Sequence, residues 1–262
     1  IFLKESKHLK GEFTPIGVVQ GWSPDSIEKA TESLVKMGYE YIALGGMVTL
    51  STYSIKLALE SVSAKIKKDT KIHLLGFGKI DRLKEFQKYN IFSIDTTSPL
   101  LRAFKDRKHN LFMPGKNNDL IYYSAIRIPQ SNENRSLMRL IKNNIFSYEN
   151  VHKSEINAIN SLREFDRGKI NLEKTLENVI AYAKIYLTDF KDPEKENSEK
   201  LKNLYSDYKI LLKNSPWKKC ACRVCKECGI EMVIFRGSNR NKRRGIHNLY
   251  VFNNQLKKIY QT

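Results

Sequence analysis

The chain has 262 residues, of which 41% are hydrophobic and 10% aromatic, a composition that excludes a disordered chain and allows a sizeable core. Lys and Arg number 46 against 28 Asp and Glu, which gives a formal net charge of +18. An excess of this size favours a polyanionic partner, with nucleic acid ahead of an anionic membrane surface, although a merely basic proteome would also produce it.

The sequence indicates neither a secretory signal nor a membrane span. No apolar run is long enough to cross a bilayer, and the opening residues IFLKESKHLK lack the core of a signal peptide. All four cysteines lie close together with metal-type spacing, which favours a reducing compartment over a disulfide framework. We therefore expect a cytoplasmic protein with no membrane partner. The chain starts with Ile1 and not Met, so we also expect a portion upstream of it.

The first third of the chain repeats one unit, an apolar strand followed by a turn and an amphipathic helix. The strands are predicted at residues 15–21, 41–44, 72–75 and 91–95, and glycine or a polar residue ends or follows each of them. Ser23 and Pro24 are typical of a helix start, and Gly38 of a helix end. Strands that alternate with helices and lack hairpin signals predict a parallel sheet with helical crossovers.

Four such units make half of a closed eight-stranded barrel, and the rest of the chain does not supply four more. The fold class that we predict is therefore α/β, with the C-terminal half of a TIM-type (β/α)8 barrel at residues 1–128. Residues 129–214 are charged and helical in pattern, and we expect them to form an α-helical insertion. Residues 215–262 are predicted to form a zinc-binding subdomain that contacts nucleic acid.

The cysteines form a C-x-C-x-x-C motif that a second C-x-x-C step extends, and a histidine follows after an apolar segment and a basic run. Three thiolates and a distant imidazole predict a tetrahedral, structural zinc site with Cys220, Cys222, Cys225 and His247 as its ligands. Cys228 is the obvious substitute if one of these sulfurs is not a ligand. The alternative is a set of reduced thiols without a metal.

Asp95 is the acid best suited to chemistry, because it ends an apolar strand and would point into the mouth of a barrel. A carboxylate there can be a general base, a metal ligand or a covalent nucleophile, or simply an aspartate that caps a helix or accepts hydrogen bonds. Gln20 ends an earlier strand, and its amide can both donate to and accept from the edge of a planar heterocycle. Gly45 and Gly46 would let backbone N–H groups approach a flat ligand closely.

Four strand ends and the cysteine motif, taken in order, resemble the tRNA-guanine transglycosylases. That family has V-Q-G, I-G-G and M-G-V-G strand ends, then an aspartate followed by L-P-T-R, and a C-x-C-x-x-C zinc site with a distant His in an H-N-L context. The matching segments here are residues 18–21, 43–46 and 74–78, Asp95 with Pro99, residues 220–225 and residues 247–249. The resemblance covers roughly residues 14–128 and 217–260, and it is specific because the order of all the motifs agrees.

The resemblance implies a covalent base exchange. Asp95 would be the nucleophile that attacks C1′ of the sugar, guanine would leave, and a 7-deazaguanine base would take its place. Gln20 and Gly46 would hold the edge of the base, Met47 and Leu75 would pack near its plane, and the full set of base-binding residues would be Gln20, Gly45, Gly46, Met47, Leu75 and Gly76. The family's second essential aspartate, the general acid/base, has no match here and is expected upstream of Ile1. The zinc ion would be structural.

Several departures from the family pattern resemble its DNA-modifying branch, whose members insert 7-cyano-7-deazaguanine into genomic DNA. Trp22 replaces a small residue, residues 96–98 replace an apolar run, and the helical segment 132–214 has no counterpart in ordinary bacterial members. Extrusion of a base from duplex DNA needs many phosphate contacts. The candidates for these contacts are Arg102, Lys105, Arg107, Arg236, Arg240, Lys242, Arg243 and Arg244. A solvated basic loop at residues 236–245, without a partner, is the alternative.

Three functions are compatible with the sequence. The first is a DNA-guanine transglycosylase that acts through a covalent aspartyl–sugar intermediate, alone, as a homodimer or with a helper subunit. The second is a tRNA-guanine transglycosylase of unusual build. The third is a non-catalytic, zinc-bearing subunit that binds nucleic acid and pairs with an active partner, and it predicts that Asp95→Ala leaves modification intact.

Overall fold

The computed structural model describes residues 2–9, 11–115, 119–195 and 197–261. The chain divides into two compact units, one formed by Ile1–Ser98 together with Leu256–Thr262 and the other by Pro99–Gln255. The boundaries predicted at residues 128 and 214 both fall inside the second unit, and the three-part division stays a prediction. None of the described helices is both long and apolar enough to cross a membrane.

The first unit is built on a sheet of four strands: β1 (Gly17–Val19), β2 (Tyr41–Leu44), β3 (Lys71–Leu74) and β4 (Ile91–Ile94). They lie side by side in chain order, and every neighbouring pair is parallel. The predicted parallel α/β arrangement is therefore confirmed. The pairing of β3 with β4 shifts register between Ile72 and His73.

Helices precede and connect these strands: α1 (Phe2–Glu5), a 3₁₀ helix at Ser6–Leu9, α2 (Pro24–Met37), α3 (Thr52–Ser63) and a 3₁₀ helix at Ile80–Tyr89. Helix α2 begins where its sequence predicts, because the Ser23 side chain accepts the N–H of Ser26 and Pro24 occupies the first turn. It ends at Gly38, whose φ of 94° is a left-handed conformation that glycine adopts without strain.

The two faces of the sheet differ in burial. One face carries core residues that are at most 1% exposed, namely Val19, Ile42, Leu44, Ile72 and Leu74. Because side chains alternate along a strand, the other face carries Val18, His73 and Ser93 in one row. Val18 is 52% exposed on this face. The sheet therefore presents a partly polar, accessible face beside its carboxyl edge.

Helix α4 (Ser98–Lys105) leads into the second unit. There β5 (Leu111–Pro114) pairs antiparallel with β6 (Leu120–Tyr123), and β7 (Ile126–Arg127) pairs in parallel with β8 (Ile234–Phe235). The longer helices are α5 (Arg135–Lys142), α6 (Tyr148–Asp166), α7 (Leu172–Leu187) and α8 (Ser198–Asn214). Their apolar faces meet in one core that includes Leu137, Leu162, Val179 and Leu211, so these helical stripes are ordinary packing faces.

The cysteine segment forms α9 (Pro216–Lys219), α10 (Arg223–Cys228) and a 3₁₀ helix at Gly229–Val233, and α11 (Gly237–Gln261) follows β8. The predicted loop at residues 236–245 is wrong, because nearly all of it belongs to α11. Arg and Lys are good helix formers, and a helix places Asn241, Arg244 and Asn248 on one face. These three side chains are at most 9% exposed.

Candidate active site and metal centre

The carboxyl ends of the four strands bring the predicted site residues into one row. The register aligns the last residues of all four strands. The residues that follow them are Gln20, Gly45, Leu75 and Asp95. The backbone N–H groups of Gly45, Leu75 and Asp95 continue the ladder to the neighbouring strand at 3.0, 3.1 and 3.3 Å. Gln20 and Asp95 therefore lie at opposite ends of one sheet edge.

Asp95 is held by one of its two carboxylate oxygens. The backbone N–H of Gly76 donates to Oδ1 at 2.8 Å, and Nε2 of His73 lies 3.3 Å from the same oxygen. No described residue donates a hydrogen bond to Oδ2, and the side chain is 58% exposed. The protein therefore orients the carboxylate and leaves one oxygen open to an incoming group.

His73 belongs to a chain of hydrogen bonds on the accessible face of the sheet. Its Nδ1 lies 2.6 Å from Oγ of Ser93, and this hydroxyl is in turn hydrogen-bonded to the hydroxyl of Tyr41. An ionised carboxylate can only accept, so Nε2 carries the proton towards Asp95 and Nδ1 accepts from Ser93. Tyr41 and Ser93 thus fix the imidazole in one tautomer and one orientation.

Sequence reasoning missed His73. The motif that drew attention to this strand lies at residues 74–78, and a single histidine inside a short strand has no signal of its own. The available signal was positional, because His73 alternates with the buried Ile72 and Leu74 and so lies on the opposite face. Only the pairing with β4 shows that Asp95 is its neighbour.

Glycine loops shape the edge beside Asp95. Gly76 has a φ of +71°, and a Cβ there would lie 2.6 Å from Cγ2 of Val48, so only glycine fits and its N–H reaches the carboxylate. A Cβ on Gly45 would lie 3.2 Å from Cγ of Gln20, so the Gln20 side chain packs against that loop. Gln20 and Gly46 are exposed, which leaves both accessible to a ligand.

The two residues predicted to pack near the plane of the base differ in accessibility. Leu75 is half-buried at the strand edge. Met47 is 3% exposed and belongs to the core of the first unit. The structure therefore gives no support to a direct contact between Met47 and a base, because the flexible methionine side chain fills space inside the protein.

The four predicted metal ligands converge in the second unit. One ligand atom from each of Cys220, Cys222, Cys225 and His247 lies within 4.8 Å of all the others. Nδ1 of His247 lies 3.6, 3.4 and 3.3 Å from the three sulfurs in turn. A tetrahedral zinc ion with ordinary bond lengths holds sulfur and nitrogen about 3.6 Å apart. The donor set and its spacing therefore fit a structural zinc ion, and Cys228 lies outside the cluster.

The hydrogen bond of its other nitrogen orients His247 so that Nδ1 could bind a metal. Nε2 lies 2.7 Å from the carbonyl oxygen of Phe112, which can only accept, so Nε2 carries the proton and Nδ1 faces the sulfurs. Asn248 accepts from the N–H of Phe112 at 2.9 Å and donates to the carbonyls of Pro99 and Asn110. The His–Asn pair therefore fastens α11 to β5 and completes the cluster.

Backbone donors and the imidazole prepare the sulfurs for a metal. The N–H of Cys222 donates to Sγ of Cys220 at 3.5 Å, and the N–H of Cys225 donates to Sγ of Cys222 at 3.3 Å. Hydrogen bonding to Cys225 lowers the pKa of Cys220 to about 4. Burial acts to lower the pKa of His247, but hydrogen bonds to Cys220 and Cys222 outweigh it and raise this pKa to about 9, so a binding metal ion would displace a proton from Nδ1. The hydrogen bond between Cys220 and Cys225 raises the pKa of Cys225, so the thiolate, which is the form that binds metals, is favoured at Cys220.

The structure corrects the predicted nucleic-acid contact of Arg244. Its side chain is 0% exposed. The guanidinium donates to the carbonyls of Ala103 and Ile234 at 2.6 and 3.3 Å and to Oδ1 of Asn241 at 2.6 Å. Burial lowers the pKa of Arg244 to about 9, which leaves it a cation at neutral pH. The guanidinium binds acceptors inside the second unit, so the predicted contact with nucleic acid is wrong for Arg244.

Two further arginines of the basic run are paired with carboxylates. Arg236 lies 2.5 Å from a carboxylate oxygen of the buried Glu155, and Arg240 lies 2.5 Å from one of Glu231. Their charges are therefore largely neutralised by the protein. The exposed cations of the run are Lys242 and Arg243, and they remain candidates for phosphate contacts.

The basic residues that follow the parallel sheet also differ in how freely a partner can reach them. Lys105 and Arg107 are exposed. Arg102 is half-buried, and its guanidinium lies 5.8 and 5.3 Å from the ring centroids of Phe112 and Tyr122. Cation–π contacts hold its side chain against the hairpin of β5 and β6. Lys105 and Arg107 are therefore the freer of the three to bind a partner.

No protein-family model matches the chain. The chain is 41% identical over 250 residues to a DNA-guanine transglycosylase of Salmonella montevideo. This alignment covers 95% of the chain and 57% of the relative, so the chain spans somewhat more than half of that protein's length. The resemblance to the tRNA-guanine transglycosylases was predicted from the strand ends and the cysteine–histidine motif, and the resemblance to their DNA-modifying branch from the departures from that pattern. The similarity to a DNA-guanine transglycosylase confirms both.

Proposed function

We propose that this chain takes part, as a guanine transglycosylase, in replacing guanine in DNA by a 7-deazaguanine base. The observation that carries the proposal is the Asp95 carboxylate, whose Oδ1 is bound by Gly76 and His73 while Oδ2 is open. A covalent nucleophile needs such an oriented and accessible oxygen. The Salmonella relative, called a DNA-guanine transglycosylase, supports guanine in DNA as the target.

In this mechanism Oδ2 of Asp95 attacks C1′ of the target deoxyribose. A bond forms between Oδ2 and C1′ while the bond from C1′ to guanine breaks, and the electron pair of that bond leaves with guanine, which takes up a proton. The incoming base, 7-cyano-7-deazaguanine in this proposal, gives up a proton and attacks C1′, and the carboxylate leaves. The sugar carbon stays activated throughout, so no nucleoside triphosphate is consumed. A general acid/base, which in the family is a second aspartate without a match among the motifs of this chain, would carry the protons.

The residues around Asp95 would orient it and hold the base. The N–H of Gly76 and the imidazole of His73 keep Oδ1 in place, which favours attack by the other oxygen. Gln20 and Gly46 are exposed at the same strand edge and offer an amide and backbone groups to the edge of the base. Water must be kept from C1′ while the covalent intermediate exists, since hydrolysis would leave an abasic site.

We also propose that the four-stranded sheet is half of a (β/α)8 barrel. Its strands follow one another in chain order, as in a barrel, whereas doubly wound sheets reverse their order at a switch point. One face of the sheet is core, and the other exposes Val18 by 52% and Phe92 by 58%. These exposures are what the inner face of half a barrel would present.

The zinc ion that the cysteine–histidine cluster fits would be structural. Cys220, Cys222, Cys225 and His247 supply four ligands, so a bound ion has no open position for substrate or water. What the ion supplies when bound is a cross-link between the cysteine segment and α11. Every step of the base exchange therefore falls to the side chains and backbone of the protein.

Incubation of the full-length protein with a labelled 7-deazaguanine base and either duplex DNA or tRNA tests the proposal. Wild-type protein should label DNA. Asp95→Asn should lose both the incorporated label and the covalent protein–DNA adduct on a denaturing gel, because an amide oxygen is a far poorer nucleophile. Asp69→Asn makes the same chemical change on an exposed residue of the same unit and should behave as wild type.

Two results would overturn the proposal. If the label enters tRNA and never DNA, the protein is a tRNA-guanine transglycosylase. Full incorporation by Asp95→Asn would assign the chain to the non-catalytic class of subunit that binds nucleic acid beside an active partner.

A further inference from the structure

A cavity of about 620 Å³ lies within the second unit, lined by the loop after α4, by β7 and β8, and by the facing ends of α7 and α8. This volume is in the range of sites that bind small molecules. Five of its lining residues are basic, namely Lys105, Arg107, Lys108, Arg127 and Lys200. None of the residues assigned to base exchange or to the metal lines it.

The positive charge of this cavity exceeds the negative charge of its two carboxylates. Within the described ranges, none of the five basic side chains forms an ion pair. Two carboxylates also line the cavity, but Asp106 accepts the N–H groups of Lys108 and His109 at 2.9 Å each, and Asp207 accepts the hydroxyl of Ser124 at 3.1 Å. Five cations against two carboxylates in a concave site favour an anionic ligand.

Aromatic side chains line the same cavity. Phe104 lines the cavity and is 36% exposed, so a ligand can reach its side chain. The guanidinium of Arg127 lies 5.9 Å from the ring centroid of Tyr186, which holds this cation in the cavity. The Tyr186 hydroxyl is buried and, among the described residues, has no hydrogen-bond partner of normal geometry. Rings beside cations form the combination that binds unpaired bases together with their phosphates.

We propose that this cavity binds one unpaired nucleotide of a DNA strand, with its phosphate on the basic side chains and its base against the aromatic ones. The nucleotide chemistry follows from the cavity alone. The assignment to a DNA strand rests on the proposed function, because extrusion of a base from a duplex leaves unpaired nucleotides that need a binding site. A free nucleotide has the same chemistry, so the experiment must separate the two sources.

Fluorescence anisotropy with a labelled oligothymidine and the full-length chain tests the site. Lys105→Ala/Lys200→Ala should weaken binding at least tenfold. The slope of log affinity against log salt should fall by about 1.4, since each phosphate contact to a single strand contributes about 0.7. Phe104→Ala should weaken binding about tenfold and leave the salt slope unchanged, because stacking of a base is not ionic.

Matched controls lie on α8 outside the cavity. Lys209→Ala/Lys213→Ala removes the same charge from exposed positions, and Tyr205→Ala removes an aromatic ring that is 40% exposed. Both controls should bind oligothymidine as wild type does. If the cavity variants also bind with unchanged affinity and salt slope, the proposal is wrong. If micromolar thymidine monophosphate displaces the oligonucleotide, the ligand of the cavity is a free nucleotide and the assignment to a DNA strand is wrong.

Asp95→Asn separates this proposal from the proposed function. The substitution lies in the first unit and leaves the cavity intact, so oligothymidine binding should equal that of wild type while base exchange is lost. Unchanged oligothymidine binding by the cavity variants would overturn the cavity site and leave the base exchange standing. Intact base exchange in Asp95→Asn, with weakened binding by the cavity variants, would overturn Asp95 as the nucleophile and leave the cavity site standing.

Discussion

The Asp95 carboxylate is 58% exposed, yet one of its oxygens is fixed, because Gly76 and His73 both hold Oδ1. Exposed side chains normally sample several rotamers, and ordering them costs free energy. The hydrogen bonds from Tyr41 through Ser93 place the imidazole before any substrate binds. Orientation of this kind acts on the rate of the chemical step more than on binding.

His73→Phe should slow base exchange and leave the KM for the incoming base nearly unchanged. The phenyl ring fills the space of the imidazole but donates no hydrogen bond, so Oδ1 keeps only the Gly76 donor. We expect kcat to fall by about ten- to a hundredfold. His73→Gln, whose amide can donate, should recover part of the loss. Steady-state kinetics measure both variants, and a wild-type kcat for His73→Phe would mean that Gly76 alone orients Asp95.

Arg243 and Arg244 are adjacent in sequence and differ completely in environment. Arg243 is exposed, whereas Arg244 is 0% exposed, with its guanidinium 4.9 Å from the ring centroid of Phe235. Arg244→Ala removes a donor from several buried acceptors and should lower the free energy of unfolding by about 3 kcal/mol. Arg243→Ala should change it by less than about 0.5 kcal/mol. Urea unfolding compares the two variants, and equal midpoints would contradict the prediction.

At the scale of elements, helix α11 ties the cysteine segment to the rest of the second unit. His247 and Asn248 bind both backbone groups of Phe112 in β5, and His247 also faces the three sulfurs. One turn earlier, Arg244 holds the carbonyl of Ile234 in β8. The cysteine–histidine cluster is thus one of several attachments between this helix and the rest of the second unit.

Removal of zinc by a chelator should loosen the cysteine segment and leave the parallel sheet intact. Hydrogen exchange, followed by mass spectrometry, should become faster from Trp217 to Phe235, while the amides of β2 and β3 stay protected. Cys220→Ser should lose most of its zinc. Cys228→Ser, a matched change outside the cluster, should keep it. Full zinc content in Cys220→Ser would show that the ligand set is wrong.

At the scale of the whole molecule, the two units carry different parts of the proposed function. The first unit has the strand edge with Asp95, and the second has the cysteine–histidine cluster and the basic cavity. The formal charge of +18 gives a long-range attraction to nucleic acid that salt screens. Because Arg236, Arg240 and Arg244 are engaged internally, the exposed lysines and arginines must provide most of this attraction. The chain corresponds to 57% of its Salmonella relative, and the base exchange is proposed for the whole protein.

The sequence by itself determined the alternation of strands and helices in the first unit and the four members of the cysteine–histidine cluster. Apolar runs, the helix start at Ser23 and Pro24 and the spacing of the cysteines are local signals. They act between residues that are a few positions apart, so a single sequence is enough to interpret them. The same local signals led to the loop wrongly predicted at residues 236–245, because a basic run has no apolar stripe to mark a helix.

Only the tertiary structure decided which polar groups meet. His73 and Asp95 are 22 positions apart and become neighbours through the pairing of β3 with β4. The basic cavity collects side chains from segments between Phe104 and Phe235 that no sequence pattern connects. Arg243 and Arg244 carry the same local signal, but one helical step of about 100° directs one to solvent and the other to the core. Packing between distant segments therefore decided which cations are free to bind DNA and which stabilise the fold.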